Sequence, residues 1–227
     1  MLSLIRSMEG SSMNKKNMYI TMALAGFLAL LISSMDFIWN QTARTASAAE
    51  PPQFSFSLKT AGEVVEKWPE EAKEAANSML NKYGAPYDIT NSLLIWNDEK
   101  PWQEIIVRRD AADHRFPSPH KDTLEQSVAY EVPVDKFDDL ARYNGSLIAD
   151  RTNGTLTSKS QSEAMNFLAL NLAHDIITNK RSVEEARELH TEIVLAYNRG
   201  EEHSYTKRLK FMDGKIEETI DPDYSPG

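Results

Sequence analysis

The residues best suited to chemistry fall in one short stretch, Asp110-Ala111-Ala112-Asp113-His114-Arg115-Phe116-Pro117-Ser118-Pro119-His120-Lys121-Asp122. It offers two imidazoles, His114 and His120, and three carboxylates, Asp110, Asp113 and Asp122. Imidazole nitrogen and carboxylate oxygen are ligands for zinc and other divalent ions. Pro117 and Pro119 would stiffen the backbone that carries them. On this reading His114, His120 and Asp113 are the metal candidates. The competing reading is a polar surface loop whose histidines cap carbonyls or face water. The gap between the histidines matches no standard metal spacing, and Arg115 and Lys121 are poor neighbours for a cation.

Other groups are weaker. His174-Asp175 could supply a general base, though a polar pair at a helix flank is the more ordinary role. Glu184, Glu185, Glu188 and Glu192 recur at helical spacing, which fits a solvated face with Arg181 and Arg187 in reach better than a calcium site. Trp96 and Trp102 are candidate binding residues for a small ligand, with core packing as the default for them and for Trp68. Lys207-Arg208-x-Lys210 is a small basic cluster that could touch anionic lipid. The chain has no Gly-rich phosphate loop, no G-x-S-x-G, no H-E-x-x-H and no dinucleotide fingerprint.

Composition narrows the field further. With no cysteine, thiolate zinc sites, iron–sulfur clusters, covalently held haem, disulfides and lipid attachment at a cysteine are all excluded. The net charge is −9, and residues 1–48 hold Arg6, Lys15, Lys16 and Arg44 against Glu9 and Asp36, so residues 49–227 carry −11. Such a body repels phosphate backbones, and a nucleic-acid partner is not expected. No cofactor and no haem are expected.

These groups need elements to position them. Thr60-Ala61-Gly62-Glu63 has the form of a capping box opening a helix through Trp68, and Pro69 restarts a second one. Ala72, Ala76, Met79, Leu80 and Tyr83 form its apolar stripe, and Gly84 and Pro86 end it. Ser92–Trp96 and Trp102–Arg108 read as strands about a turn, and Leu124–Val132 as a third strand. A short helix after Pro133 would bury Phe137, Leu140 and Ala141. Residues 146–152 and 155–158 flank Asn153-Gly154, read as a two-residue hairpin turn. Ser162–Asn179 is apolar around most of its circumference, and Ser182-Val183-Glu184-Glu185 is a capping box opening a last helix to Gly200. Its stripe is Ala186, Leu189, Ile193, Ala196 and Tyr197. The sum is an α+β domain: an antiparallel sheet of about five strands, helices on one face, and a C-terminal helical hairpin behind an N-terminal membrane or signal helix.

That N-terminal segment consists of Lys15-Lys16 ahead of an apolar run from Met18 to Ile32, continued by Ser33-Ser34-Met35-Asp36-Phe37-Ile38-Trp39. Residues 18–39 are long enough for an anchor at ~1.5 Å per residue. A signal peptide cleaved near Ala46-Ser47-Ala48 is the alternative. Both place the remainder outside the cytoplasm, either on a single-pass inner-membrane anchor or soluble in the periplasm. The domain boundaries that follow are 1–48 for this segment, 49–58 for a linker, 59–215 for the domain and 216–227 for an acidic flexible tail.

Glu70–Trp96, a helix ending in Tyr83-Gly84-Ala85-Pro86 and a strand closing on Trp96, resembles the corresponding unit of small outer-membrane assembly lipoproteins, whose lipid-bearing cysteine this chain lacks. Phe116–His120 through Leu124-Glu125-Gln126, Met165–His174 and Ser182–Ala186 resemble exported bacterial proteins of unknown function. The second resemblance implies a bacterial envelope setting and no particular activity. The leading expectation is therefore a non-catalytic, membrane-tethered or periplasmic accessory protein of the cell envelope, acting through a protein partner. The alternative is a metal-binding protein or metal-dependent hydrolase using the His114/His120 loop. A chain beginning at Ala49 is expected in the soluble fraction; its recovery with membranes would show that residues 18–39 are not the tether.

Overall fold

The computed structural model describes residues 58–212 and 219–223, which belong to one compact unit, Ser55–Gly227. Residues 1–48, read above as an anchor or signal segment, and nearly all of the linker lie outside the described residues. Among the described residues no helix is long and apolar enough to cross a membrane.

The fold is mixed α+β around a six-stranded antiparallel sheet. In chain order the elements are α1 (Leu58–Val65), α2 (Glu70–Tyr83), β1 (Asp88–Ile89), β2 (Leu93–Asn97), β3 (Glu104–Arg108), β4 (Asp113–His114), β5 (His120–Lys121), β6 (Leu124–Ala129), α3 (Phe137–Tyr143), β7 (Leu147–Asp150), β8 (Thr155–Ser160), α4 (Glu163–Ile177) and α5 (Val183–Asn198). The sheet order is β1-β2-β3-β6-β8-β7, and β4 and β5 form a separate two-stranded ladder. Strand β6 therefore pairs with β8, and β7 lies at the edge.

Strand alternation decides which face is covered. Leu94 and Trp96, Ile105 and Val107, Leu124 and Val128, and Leu156 all turn inward and are buried. Helices α2 and α4 cross this face, α2 over β3 and β6, α4 over β6 and β8. The opposite face carries Glu104, Ser127, Thr157 and Ile148 in one cross-strand row. The Arg108–Glu125 pair at 2.9 Å lies on that same face.

The inner face also holds a polar cluster. Glu163, at the start of α4, has an Oε1 that accepts from the Tyr83 hydroxyl at 2.5 Å, Trp102 Nε1 at 2.8 Å and Gln126 Nε2 at 3.3 Å. Its Oε2 pairs with Lys82. Asn166 Nδ2, one turn on, donates to the Gln126 side-chain oxygen at 3.0 Å and the Leu124 carbonyl at 3.1 Å. Burial acts to raise the Glu163 pKa, but Lys82, Tyr83 and Trp102 outweigh it and hold the carboxyl below its ordinary range. Burial first, and then the Glu163 carboxylate that accepts its proton, push the Tyr83 phenol up.

Several local expectations change. Thr60 is already inside α1, so it does not cap that helix. The third strand stops at Ala129, short of Val132, and β1 and the β4–β5 ladder are additional. The β7–β8 connection has four residues, 151–154, because Asp150 pairs with Thr155. Asp150 accepts from the backbone N–H and side-chain amide of Asn153, and Gly154 follows at φ +61°. Helix α3 buries Leu140 and Tyr143, while Ala141 is exposed. On α5 the Ser182–Glu185 capping box forms as expected, but His190 and Val194 are buried and Tyr197 is exposed. Thr219–Asp223 lies along the hairpin turn, with the Thr219 hydroxyl donating to the Gly154 carbonyl at 2.8 Å and Arg151 pairing with Asp221 at 2.9 Å.

Replacing Glu163 by Ala would leave Trp102, Tyr83 and Gln126 without their acceptor and Lys82 without its counter-charge. A loss of about 3 kcal/mol in urea unfolding is expected; a loss under about 1 kcal/mol would show that the cluster does not join helix to sheet.

Candidate metal site

The stretch 110–122 folds as a minimal hairpin. Cross-strand pairs are Asp113↔Lys121 and His114↔His120, so the two imidazoles share one face and Asp113 and Lys121 share the other. Asp113 and Lys121 form an ion pair at 2.6 Å, and the Asp113 side chain is 76% exposed. Asp113, expected as a third ligand, is therefore directed away from the histidines. Asp122, two residues beyond His120, takes its place and is only 6% exposed.

Asp122 Oδ1 lies 3.4 Å from His114 Nδ1 and 3.3 Å from His120 Nε2. One ligand atom from each of the three residues falls within 4.8 Å of the others. Asp122 Oδ2 is held by the Ser146 hydroxyl at 2.5 Å, and that hydroxyl also lies 3.2 Å from His114 Nδ1. Asp122 Oδ1 is buried and accepts no hydrogen bond.

The tautomer of His120 sharpens this arrangement. Its Nδ1 is 2.9 Å from the Ser118 carbonyl, which can only accept, so Nδ1 carries the proton. In the neutral ring Nε2 then presents a lone pair to the Asp122 oxygen, and two acceptors face each other at 3.3 Å. A proton or a cation between them resolves the repulsion. Without an ion, burial lowers the His120 pKa but the Asp122 contact and the Ser118 carbonyl raise it more, and the net shift is upward. For His114 burial dominates over Asp122, and the net shift is downward. Burial opposes the charge on Asp122, yet His120 and Ser146 hold its carboxyl below the ordinary value.

The hairpin is anchored from behind by α5. Arg187 stacks 3.8 Å over the Phe116 ring and donates to the Tyr143 carbonyl at 2.5 Å. Phe116 meets the buried His190 edge-on at 5.0 Å, and His190 Nδ1 bonds the Tyr143 hydroxyl at 2.8 Å. His190 escaped the sequence reading, since only the packing of α5 brings it to the hairpin.

The remaining candidates are structural. Trp96 and Trp102 are buried to within 1% and donate to the Gly84 carbonyl and to Glu163, so neither offers a face to a ligand. His174 bonds the Tyr130 hydroxyl at 2.8 Å and stacks on Phe211, and burial lowers its pKa. Asp175 is buried among Lys180, Arg181 and Tyr205. Glu184, Glu185, Glu188 and Glu192 are all exposed.

In front of the histidines a cleft of about 830 Å³ opens, walled by α2, by the β4–β5 hairpin and by Gln161–Glu163. His114 and His120 line it, and Asp122 does not.

Burial, reinforced by the charges of His120, His114 and Arg187, pushes the His190 pKa down to about 3. An unfolded histidine titrates near 6.5, so between these values the unfolded chain binds a proton that the folded chain refuses. The stabilisation is complete above pH 6.5 and is lost as pH falls, by up to about 1.4 kcal/mol per pH unit. Thermal unfolding midpoints should fall from pH 6.5 to 4.5, with a shallower slope in His190→Gln; an unchanged slope would assign the acid sensitivity to other groups. No protein-family model, no curated protein and no solved structure matches this chain.

Proposed function

We propose that this chain is a divalent-metal-binding protein whose ion is held by His114, His120 and Asp122. The observation that carries the reading is the buried Asp122 Oδ1, without a hydrogen-bond donor and flanked by two imidazole nitrogens at 3.3 and 3.4 Å. Ligand atoms about 2.0–2.1 Å from a tetrahedral ion stand about 3.3–3.4 Å apart, against about 3.0 Å for adjacent positions of an octahedron with similar bonds. Two of the three ligand separations match a tetrahedral edge, as zinc would use, and the two imidazoles, whose ligand atoms lie within 4.8 Å, would close on the ion when it binds. The outer contacts also have the form that metal sites use, a backbone carbonyl on His120 Nδ1 and a hydroxyl on Asp122 Oδ2.

On this reading the protein carries a metal, and the expectation of no cofactor is withdrawn. Its location is a separate proposal: the basic start and apolar run of residues 18–39 support a site that works outside the cytoplasm, tethered to or released from the inner membrane. An accessory role through a protein partner rests on that same setting, and no surface among the described residues favours it over the metal site.

Metal analysis of the purified protein tests the reading. About one zinc per chain is expected, with a drop of at least tenfold in affinity for His120→Ala and for Asp122→Asn. Asp113→Asn should bind as tightly as the parent. Equal metal content in all four proteins, or none in any, would refute the assignment.

A further inference from the structure

The surroundings of the site select what reaches the ion. Both imidazoles line the cleft and Asp122 does not, so an ion held by the three would sit at the edge of the cleft. Three protein ligands with one position open is the form of zinc sites that act on a substrate rather than on the fold.

The charges around the cleft divide into neutralised and available groups. Asp113 is neutralised by Lys121, and Glu163 by Lys82 and its three neutral donors. Glu71 and Glu74 on α2 and Arg115 on the hairpin line the same cleft, and among the described residues none of them has an ion-pair partner within 4 Å, although Glu71 acts on Lys121 and Arg115 on Asp113 at longer range. Two acids stand on one wall and one guanidinium on the other, with the open coordination position among the lining groups. An acidic wall disfavours a phosphate ester, which would bring further negative charge beside it. A ligand with an ammonium at one end, a carboxylate at the other and a carbonyl between satisfies all of them, and the cleft has the size of a small-molecule site.

Resting on the metal assignment, we infer that the cleft binds a short unprotected peptide and hydrolyses its amide bond. Glu71 and Glu74 take the ammonium group, Arg115 takes the carboxylate, and the carbonyl oxygen lies at the ion. An ion in such a site lowers the pKa of a bound water towards neutrality and polarises the carbonyl. The water oxygen bonds to the carbonyl carbon and the C–N bond breaks. One water proton ends on the leaving amine, and the other is released to solvent as the new carboxyl group ionises. Nothing is oxidised or reduced.

The test uses the full-length chain in detergent, loaded with zinc and analysed for metal in every sample. It is incubated with a mixture of unprotected di- and tripeptides bearing small, apolar and charged side chains, with the N-acetylated mixture, and with bis(p-nitrophenyl) phosphate. Zinc-dependent cleavage of the unprotected peptides is expected, at least tenfold faster than that of the acetylated ones, with no phosphodiester turnover. The Glu71→Gln/Glu74→Gln variant should keep its zinc and narrow the difference between free and acetylated peptides to less than threefold. Arg115→Ala should keep its zinc and raise KM about tenfold. One zinc per chain with no peptide cleaved, or with phosphodiester cleaved as fast as peptide, would overturn this inference and leave the metal site standing. A chain that binds no zinc would overturn both.

Discussion

A single carboxylate holds the helical layer to the sheet. Glu163 begins α4, yet its acceptor oxygens are shared by Lys82 and Tyr83 from the end of α2, by Trp102 from the segment entering β3, and by Gln126 from β6. Burying such a charge is costly unless its hydrogen bonds are made, and here they come from three separate parts of the chain. The geometry of one group thus fixes where α2 ends, how α4 starts and which stretch of β6 lies beneath them. Leu94, Ile105, Val107, Leu124 and Leu168 complete the layer by packing, but packing alone tolerates sliding. The carboxylate does not.

The β4–β5 hairpin shows the opposite economy. A ladder of two pairs has no stability of its own, and His114 and His120 face each other only because other elements hold the turn. Arg187 and His190 of α5 clamp Phe116, and Ser146 before β7 reaches back to Asp122. His114, His120 and Asp122 are close in sequence while the groups that orient them are far away. Rigid positioning by a distant framework is what a site needs when it must hold ligands a fraction of an ångström from their working positions.

The sequence was legible where structure is local. The α2 stripe of Ala72, Ala76, Met79 and Leu80, the capping box of α5 and the alternation in β2 and β3 each depend on residues a few positions apart, and each appears where the pattern puts it. Two-residue strands leave no periodic trace, so β1 and the β4–β5 ladder were invisible. That blindness explains why Asp113 rather than Asp122 stood among the candidates. Adjacent residues of a strand point to opposite faces, so Asp113 turns to Lys121 and away from His114, whereas Asp122 lies 3.4 and 3.3 Å from the two imidazoles. Had the loop been read as strands, alternation would have set Asp113 apart from His114. The roles of Ser146 and His190 were beyond any local pattern, because only the packing of α5 and the entry to β7 bring them to the loop.

The pairing of β6 with β8 has a consequence for the order in which the molecule is made. Leu124 finds its partner in Ser160, with α3 and the whole of β7 in between. Pairings of that kind wait for a long loop to close and form late. During synthesis His114, His120 and Asp122 emerge first, Ser146 follows well after them, and Arg187 and His190 last of all. A growing chain therefore displays two histidines and an aspartate without the groups that aim them, and their arrangement is complete only when α5 has packed.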